Sequence, residues 1–155
     1  MKAAPSSLAE LKARALRYLV RREHSRAELV RKLAPHAESH EALNAVVDLL
    51  LSKKQLSDER FAEERARSLS RKYGAARIRQ DLKSKGISEE LADRAAGGMN
   101  EAQKAKAILA RKYRDPASTR EERAKRARFL QGRGFSYDTI RSALGLSSST
   151  NFSEE

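Results

Sequence analysis

The sequence has 155 residues, a formal net charge of +12 and no cysteine, which excludes disulfide bonds and cysteine-based thiolate or metal chemistry. Leu, Ile, Val and Phe account for only 30 residues, so we expect a thin fold with close alanine packing rather than one thick core. The pI of about 10.3 predicts an anionic partner, either nucleic acid or an acidic protein surface.

Apolar residues recur at helical spacing along most of the chain, and no segment alternates long enough to predict a strand. One stripe, for example, runs through Leu43, Val46, Val47, Leu50 and Leu51. The pattern predicts nine helices, over 7–22, 25–34, 40–54, 58–73, 75–85, 89–97, 101–114, 119–132 and 136–145. The serine-rich segment 146–155 is predicted to be a flexible tail.

The predicted joints carry the residues that begin and end helices. Ser25 followed by Glu28 is typical of a capping box at a helix start. Gly86 and Gly134 each stand where a helix should end, before an apolar residue and a serine that can begin the next helix. The Gly97-Gly98 pair is predicted to be another joint rather than a nucleotide-binding loop.

A local pattern recurs around three anchor positions, Ser25, Gly74 and Ser136. Aliphatic residues follow each anchor at offsets of four and eight, and an arginine precedes each by three; these are Leu29, Ile78, Ile140, Leu33, Leu82, Leu144, Arg22, Arg71 and Arg133. Any helix–turn–helix gives some of this spacing, but the coincidence favours a true repeat. The predicted fold is all-α, with three tandem three-helix (helix-turn-helix-like) repeats forming an elongated curved array. The predicted boundaries are 1–56, 57–100 and 101–145.

The sequence offers no set of residues suited to catalysis. His36 and His40 have helical metal-ligand spacing, but Pro35 and Ser39 indicate a loop there and no further ligand completes a site. Walker and G-x-G-x-x-G patterns are lacking, and the carboxylates have basic neighbours at i, i+4. We therefore expect no enzyme, cofactor or metal. Without an apolar run typical of a secretory signal or membrane span, we expect a cytoplasmic protein, and a monomer.

Basic helical surface remains as the candidate functional feature. Segments 1–56 and 101–145 carry net charges of +5 and +7, whereas 57–100 carries +2, so the two ends are predicted to face an anion. Solvated helix faces would explain the same charges. The candidate contact residues are Arg14, Arg17, Arg21, Arg22, Arg71, Lys72, Arg123, Arg126, Arg133 and the aromatic Tyr137, which is expected to be exposed.

Four blocks, in this order, resemble the RecX family of bacterial regulators of the RecA recombinase. They are "ALRYLVRREHSRAELVRKL" (15–33), "LSDERFAEERA" (56–66), "GAARIRQDLKSKGI" (74–87) and "RFLQGRGFSYDTIRSAL" (128–144). The resemblance runs from about residue 8 to 145, and 95–122 matches in helical character alone. It implies three three-helix repeats and a non-enzymatic modulator that binds RecA, lies along the RecA–DNA filament and inhibits ATP hydrolysis, strand exchange and coprotease activity. Some family members also bind DNA.

Combined with the charge distribution, the resemblance suggests that the end repeats grip the filament while the middle repeat spaces them. Charge reversal at Arg126 and Arg133 should then weaken inhibition more than reversal at Arg77 and Arg79. Two alternatives stay open: a basic helix-turn-helix-like protein that binds DNA independently of RecA, and a scaffold for another acidic protein. The short helices after the anchors offer few base-reading side chains, which disfavours the first alternative.

Overall fold

A computed structural model describes residues 7–97 and 100–146. Within these residues the chain is all-helical, as predicted. The α-helices are α1 (Leu8–Arg21), α2 (Arg26–Leu33), α3 (His40–Ser52), α4 (Asp58–Leu69), α5 (Ala75–Ser84), α6 (Glu89–Ala96), α7 (Glu101–Lys112), α8 (Arg120–Gly132) and α9 (Tyr137–Ala143), with a 3-10 turn at Ala34–His36. The predicted tail lies outside the described residues beyond position 146, as does Gly98. No described helix is long and apolar enough to cross a membrane.

The described residues divide into two compact units. The first combines the chain up to Arg65 with Leu82–Leu91, and the second combines Ala66–Asp81 with the residues from Ala92 onward. Helices α4, α5 and α6 therefore contribute residues to both units.

Each unit contains a core of buried apolar residues. In the first unit, helices α1, α2 and α3 meet through Leu11, Ala15, Leu29, Leu33, Leu43, Val46, Val47 and Leu50. In the second unit, helices α7, α8 and α9 meet through Ala105, Ile108, Leu109, Ala127, Leu130, Phe135 and Ile140. Alanines in both sets allow helices to approach closely, which agrees with the thin core expected from the composition.

The helix boundaries follow the predicted capping residues. Ser25 and Glu28 form the reciprocal capping box at the start of α2. Gly74 has no side chain to cap α5, and the Glu101 carboxylate instead accepts a hydrogen bond from the Ala75 amide at 2.8 Å. Helix α4 ends at Leu69, four residues before the predicted end, because a turn begins at Ser70. The other boundaries lie close to those predicted from the sequence.

The three anchors do not mark the same place in the helix order. Helices α3 and α4 separate α2 from α5, whereas α6, α7 and α8 separate α5 from α9. The third anchor, Ser136, is therefore displaced by one helix relative to Ser25 and Gly74. A three-helix group contains two helix–turn–helix units, one between its first and second helices and one between its second and third. Sequence spacing alone does not distinguish these two units.

A second recurring feature is a hydrogen bond between two turns that lie far apart in the sequence. In the first unit, the Ser25 hydroxyl donates to the Lys85 carbonyl at 2.7 Å, beside Gly86. In the second unit, the Gly74 amide donates to the Arg133 carbonyl at 2.7 Å, beside Gly134. In both cases, the turn at the anchor is thus hydrogen-bonded to a glycine-containing turn about 60 residues further along the chain. We call these two contacts the turn–turn joints.

Both joints require glycine at the position after the accepting carbonyl. Gly86 and Gly134 have φ of +85° and +92°, conformations that are strained for residues with a side chain. A Cβ on Gly86 would lie 2.4 Å from the Ala27 Cβ, and one on Gly134 would lie 2.6 Å from the Arg77 nitrogen. The sequence prediction of a helix-ending glycine at both positions is confirmed, and the structure adds the close contact.

Candidate partner-facing surfaces

The basic stripe on α1 lies in the first unit. Arg17 and Arg21 are exposed, and Arg14 is half-buried, with an Nε that has no hydrogen-bond partner among the described residues. Val20, beside them, is 86% exposed. The stripe therefore places three guanidinium groups and one exposed aliphatic side chain on α1.

Arg22 has a different environment from the rest of the predicted stripe. Its guanidinium makes two hydrogen bonds to the Glu28 carboxylate, at 3.2 and 3.3 Å, and one to the Glu23 carbonyl at 2.9 Å. Burial alone would raise the pKa of Glu28, but the hydrogen bonds from Arg22 and from the Ser25 amide outweigh burial and hold that pKa below its ordinary value. Arg22 thus fastens the turn between α1 and α2.

A buried histidine completes this turn. His24 is 1% exposed, and its two ring nitrogens lie 3.1 Å from the Arg22 carbonyl and 2.8 Å from the Lys32 ammonium. The Tyr18 ring is 5.9 Å away, centroid to centroid. A neutral ring with Nδ1–H donating to the carbonyl and Nε2 accepting from Lys32 satisfies both contacts. Burial and the positive charges of Arg22 and Lys32 lower the pKa of His24, although the carbonyl and Glu28 oppose the shift.

This lowered pKa predicts acid-sensitive folding. The unfolded chain takes up a proton near pH 6.5 but the folded chain resists it, so the free energy of unfolding should fall as pH drops below about 6.5. Urea denaturation at pH 7.5 and 5.5 should show a smaller loss for His24→Gln than for the native chain. His40→Gln, at an exposed position, should behave as the native chain does; equal pH dependence in all three would contradict the prediction.

The second unit brings cations and aromatic rings into one surface. We call it the arginine–aromatic row, and it comprises Tyr73, Arg77, Arg111, Lys112, Tyr113, Arg126, Phe129 and Arg133. These residues come from the turn after α4 and from helices α5, α7 and α8 and the positions that end them. Segments up to about 60 residues apart in sequence therefore meet in the row.

Cations and rings alternate along the row. The Arg77 and Arg133 guanidiniums lie 4.9 and 5.4 Å from the Tyr73 ring centroid. Arg133 also lies 4.9 Å from the Phe129 centroid, and the Lys112 ammonium lies 4.6 Å from the same centroid. At the far end, Arg126 lies 4.2 Å and Lys112 5.8 Å from the Tyr113 centroid. These are cation–π distances, so the rings hold the cations in place.

Backbone carbonyls hold the guanidiniums from a second side. Arg77 donates to the Gly132 carbonyl at 3.3 Å, and Arg133 to the Lys72 carbonyl at 3.4 Å. Arg126 donates to the Asp115 carbonyl at 2.8 Å, and Arg111 donates to the Arg71 carbonyl. Rings and carbonyls orient these side chains without cancelling their charge.

Four cations of the row have no carboxylate partner among the residues that the structure describes: Arg77, Arg111, Lys112 and Arg133. Some basic residues outside the row are ion-paired, as in Arg60–Glu23, Arg79–Asp93 and Arg141–Asp138, each within 2.9 Å. Four cations without carboxylate partners therefore lie together in the row, which is suited to binding an anion.

The predicted contact residues fall into two groups. Arg14, Arg17 and Arg21 lie on α1 in the first unit, whereas Arg71, Lys72, Arg126 and Arg133 lie in or beside the row. Arg123 is half-buried on α8. Tyr137 is 44% exposed, as expected, and its ring centroid lies 4.6 Å from the Arg141 guanidinium. Whether any of them contacts a partner stays a prediction.

Sequence reasoning missed six members of the row: Tyr73, Arg77, Arg111, Lys112, Tyr113 and Phe129. The pairs Tyr73–Arg77 and Phe129–Arg133 have an aromatic residue four positions before an arginine, a spacing that could have indicated stacking. No sequence signal joins Arg126 to Tyr113 or Arg111 to Arg71. Within the described residues, His, Asp and Glu form no group of three or more that could hold a metal.

The helices, the turn–turn joints and the basic surfaces define an all-helical protein built from tandem three-helix domains that present positive charge. Models of three successive RecX domains match this chain in order: the first three-helix domain over 12–50, the second over 57–95 and the third over 100–144. The chain belongs to the RecX family.

Relatives and solved structures agree with this assignment. The regulatory protein RecX of Ralstonia nicotianae is 46% identical over 140 residues, covering 86% of each chain. The regulatory protein RecX of Herbaspirillum seropedicae is 46% identical over 138 residues, covering 86% of this chain and 88% of its own. A crystal structure of RecX from Lactobacillus salivarius has the same fold, with a TM-score of 0.77 and 23% identity over 89% of this chain and 94% of its own. The predicted class of three tandem three-helix domains is thus confirmed.

Proposed function

We propose that this protein is a non-enzymatic cytoplasmic regulator that binds RecA and RecA–DNA filaments. It inhibits ATP hydrolysis, strand exchange and coprotease activity, and so modulates DNA repair and the SOS response. The observation that carries the proposal is the ordered match of three RecX domains from 12 to 144, since the relatives are regulatory proteins. The net charge of +12 and the unpaired cations of the row suit a negatively charged nucleoprotein filament.

In this proposal the end repeats, 1–56 and 101–145, grip the filament and the middle repeat spaces them. The α1 stripe supplies the contacts of the first repeat, and the row supplies most of those of the third, with Tyr73 and Arg77 of the row contributed by the middle repeat. When one end is bound to the filament, the other end is held close to its own binding site at a high effective concentration. The combined affinity therefore exceeds that of either end alone. Arg77 and Arg79 are poor controls for this idea, because Arg77 is part of the row and Arg79 is paired with Asp93.

The direct test is the single-strand-dependent ATPase of purified RecA. We expect the rate to fall with increasing concentration of the full chain, and less at 200 mM than at 50 mM NaCl because salt weakens contacts between charges. An ATPase rate that the chain leaves unchanged at both salt concentrations would overturn the proposal.

A matched pair of charge reversals tests the end-grip model. Arg17 and Arg67 are both exposed and lie on the first helices of the first and second domains. We expect Arg17→Glu to raise the chain concentration needed for half-inhibition by about tenfold, equivalent to ~1.4 kcal/mol, and Arg67→Glu to change it less than twofold. Equal losses in the two variants would contradict the model.

The alternative function is DNA binding that does not depend on RecA. The row favours it, because cations without carboxylate partners suit phosphates as well as an acidic protein. Titration of bare single- and double-stranded DNA near 150 mM salt, and then of RecA with and without DNA, separates the two functions. Tight binding to bare DNA together with no RecA-dependent binding would establish the alternative.

A further inference from the structure

The row presents charge in an unusual way. Arg77, Arg111 and Arg133 each donate one hydrogen bond to a backbone carbonyl, and Arg77 and Arg133 also lie over rings. A guanidinium has five N–H donors, so each keeps donors for a ligand. Little side-chain entropy remains to be lost on binding, because these contacts already orient the groups.

Each ring of the row is half-buried and already has two cations within 5.8 Å of its centroid. Tyr73 carries Arg77 and Arg133, Phe129 carries Lys112 and Arg133, and Tyr113 carries Arg126 and Lys112. Proteins that stack bases need an open aromatic face. Here a base would have to displace a cation from the ring, which costs the existing cation–π interaction. The row is therefore built to contact phosphates and not bases.

We propose that the arginine–aromatic row binds the phosphodiester backbone of nucleic acid without reading the bases. The inference deepens the proposed function and rests on it in one respect, since it assigns the DNA-facing part of the filament contact to these residues. Four unpaired cations in one row favour this ligand over an acidic protein. A phosphodiester chain supplies closely spaced charges by its covalent structure, whereas a protein would need a row of mutually repelling carboxylates.

Binding of the full chain to a labelled 20-residue dT strand, followed by fluorescence anisotropy at several NaCl concentrations, tests the proposal. The variant Arg111→Gln/Lys112→Gln changes two exposed residues, and we expect at least a tenfold loss of affinity. The slope of log K against log salt should fall by about 0.7 for each phosphate that the variant no longer neutralises. The matched control Lys106→Gln/Arg120→Gln removes the same charge from exposed positions on the opposite sides of α7 and α8, and should bind within twofold of the native chain.

A second pair of variants separates charge from folding. Arg77→Gln/Arg133→Gln should lose at least tenfold in affinity, and Arg77→Lys/Arg133→Lys should recover to within about threefold, because a lysine retains the charge. Circular dichroism at 222 nm reports whether each variant is folded. If Arg77→Lys/Arg133→Lys lost as much affinity as Arg77→Gln/Arg133→Gln, the assignment to the row would be overturned. A loss of affinity in the Lys106→Gln/Arg120→Gln control would overturn it as well.

Three competitors identify the ligand. A 20-residue abasic strand should compete with dT within twofold, and preference for dT by more than tenfold would show that bases are read and overturn the proposal. Polyglutamate of equal charge should compete poorly, and equal competition would instead assign the row to an acidic protein. Inorganic polyphosphate of equal charge shares the phosphate chemistry, and competition more than tenfold better than the abasic strand would overturn the assignment to nucleic acid.

The two proposals fail in different experiments. A chain that binds the strand through the row but leaves the RecA ATPase unchanged supports the row assignment and contradicts the proposed function. If the native chain inhibits RecA but the row variants bind the strand as tightly as the native chain, the proposed function is supported and the row assignment is contradicted.

Discussion

Gly134→Ala is expected to lower the free energy of unfolding by at least ~3 kcal/mol, the largest single-methyl effect that we predict. Two independent causes add. The φ of +92° is strained for alanine, which costs on the order of 1–2 kcal/mol. The new Cβ would also lie 2.5 Å from the Arg77 Cβ and 2.6 Å from the Arg77 nitrogen, and the backbone of α5 cannot give way without opening the joint in the second unit.

Gly132→Ala is the matched control for this prediction, two residues earlier in the chain. Gly132 lies in the last turn of α8, and among the described residues a Cβ there meets no atom within 4 Å apart from its chain neighbours and its own helix backbone. Alanine should stabilise the helix by about 0.5–1 kcal/mol, because it loses less backbone entropy on folding. Urea denaturation of both variants, followed at 222 nm, gives the comparison. If Gly134→Ala were as stable as the native chain, the close contact in the joint would be wrong.

Ser25→Ala should destabilise the protein by about 2–3 kcal/mol, more than an ordinary capping serine does. The Ser25 hydroxyl accepts from the Glu28 amide at 3.1 Å and donates to the Lys85 carbonyl at 2.7 Å. Loss of an N-cap costs ~1 kcal/mol, and a partly buried carbonyl left without its donor costs about 1–3 kcal/mol. The Ser25 side chain is fully buried and its hydrogen bond to Lys85 is partly buried, which limits how far water can replace the missing donor.

Ser136→Ala provides the corresponding control. Ser136 caps α9 through the Thr139 amide at 3.2 Å, but it is exposed and makes no comparable joint contact with the residues that the structure describes. We expect a loss of ~1 kcal/mol, measured by the same denaturation experiment. Similar losses in the two variants would show that the Ser25–Lys85 hydrogen bond contributes little.

The joint in the second unit also supports the candidate site. The Arg133 carbonyl accepts from Gly74, and the Arg133 guanidinium lies over the rings of Tyr73 and Phe129. Arg77 packs against Gly134 and lies over Tyr73 as well. One backbone contact therefore positions two of the four unpaired cations, so stability of the fold and geometry of the row depend on the same turns.

The amino-acid sequence alone determined the local structure of this protein. The stripes through Leu43 and Val47 predicted helices, and Ser25 with Glu28 predicted a helix start, because these signals act within one or two helical turns. The blocks from 15 to 144 also indicated the family, which the three domain matches confirmed. The anchor pattern also reflects local structure, because it marks any turn between two helices. For this reason the sequence aligned Ser136 with Ser25 and Gly74 although it lies one helix further along its three-helix group.

Only the tertiary structure decided which charges are neutralised and which are free. Arg22 and Arg133 occupy the same offset from their anchors, yet one pairs with Glu28 and the other lies over Tyr73 and Phe129. The partners that orient the arginines of the row come from up to 61 residues away. Helical spacing shows which face of one helix is basic, but packing between distant helices decides whether a ring, a carbonyl or a carboxylate meets that face.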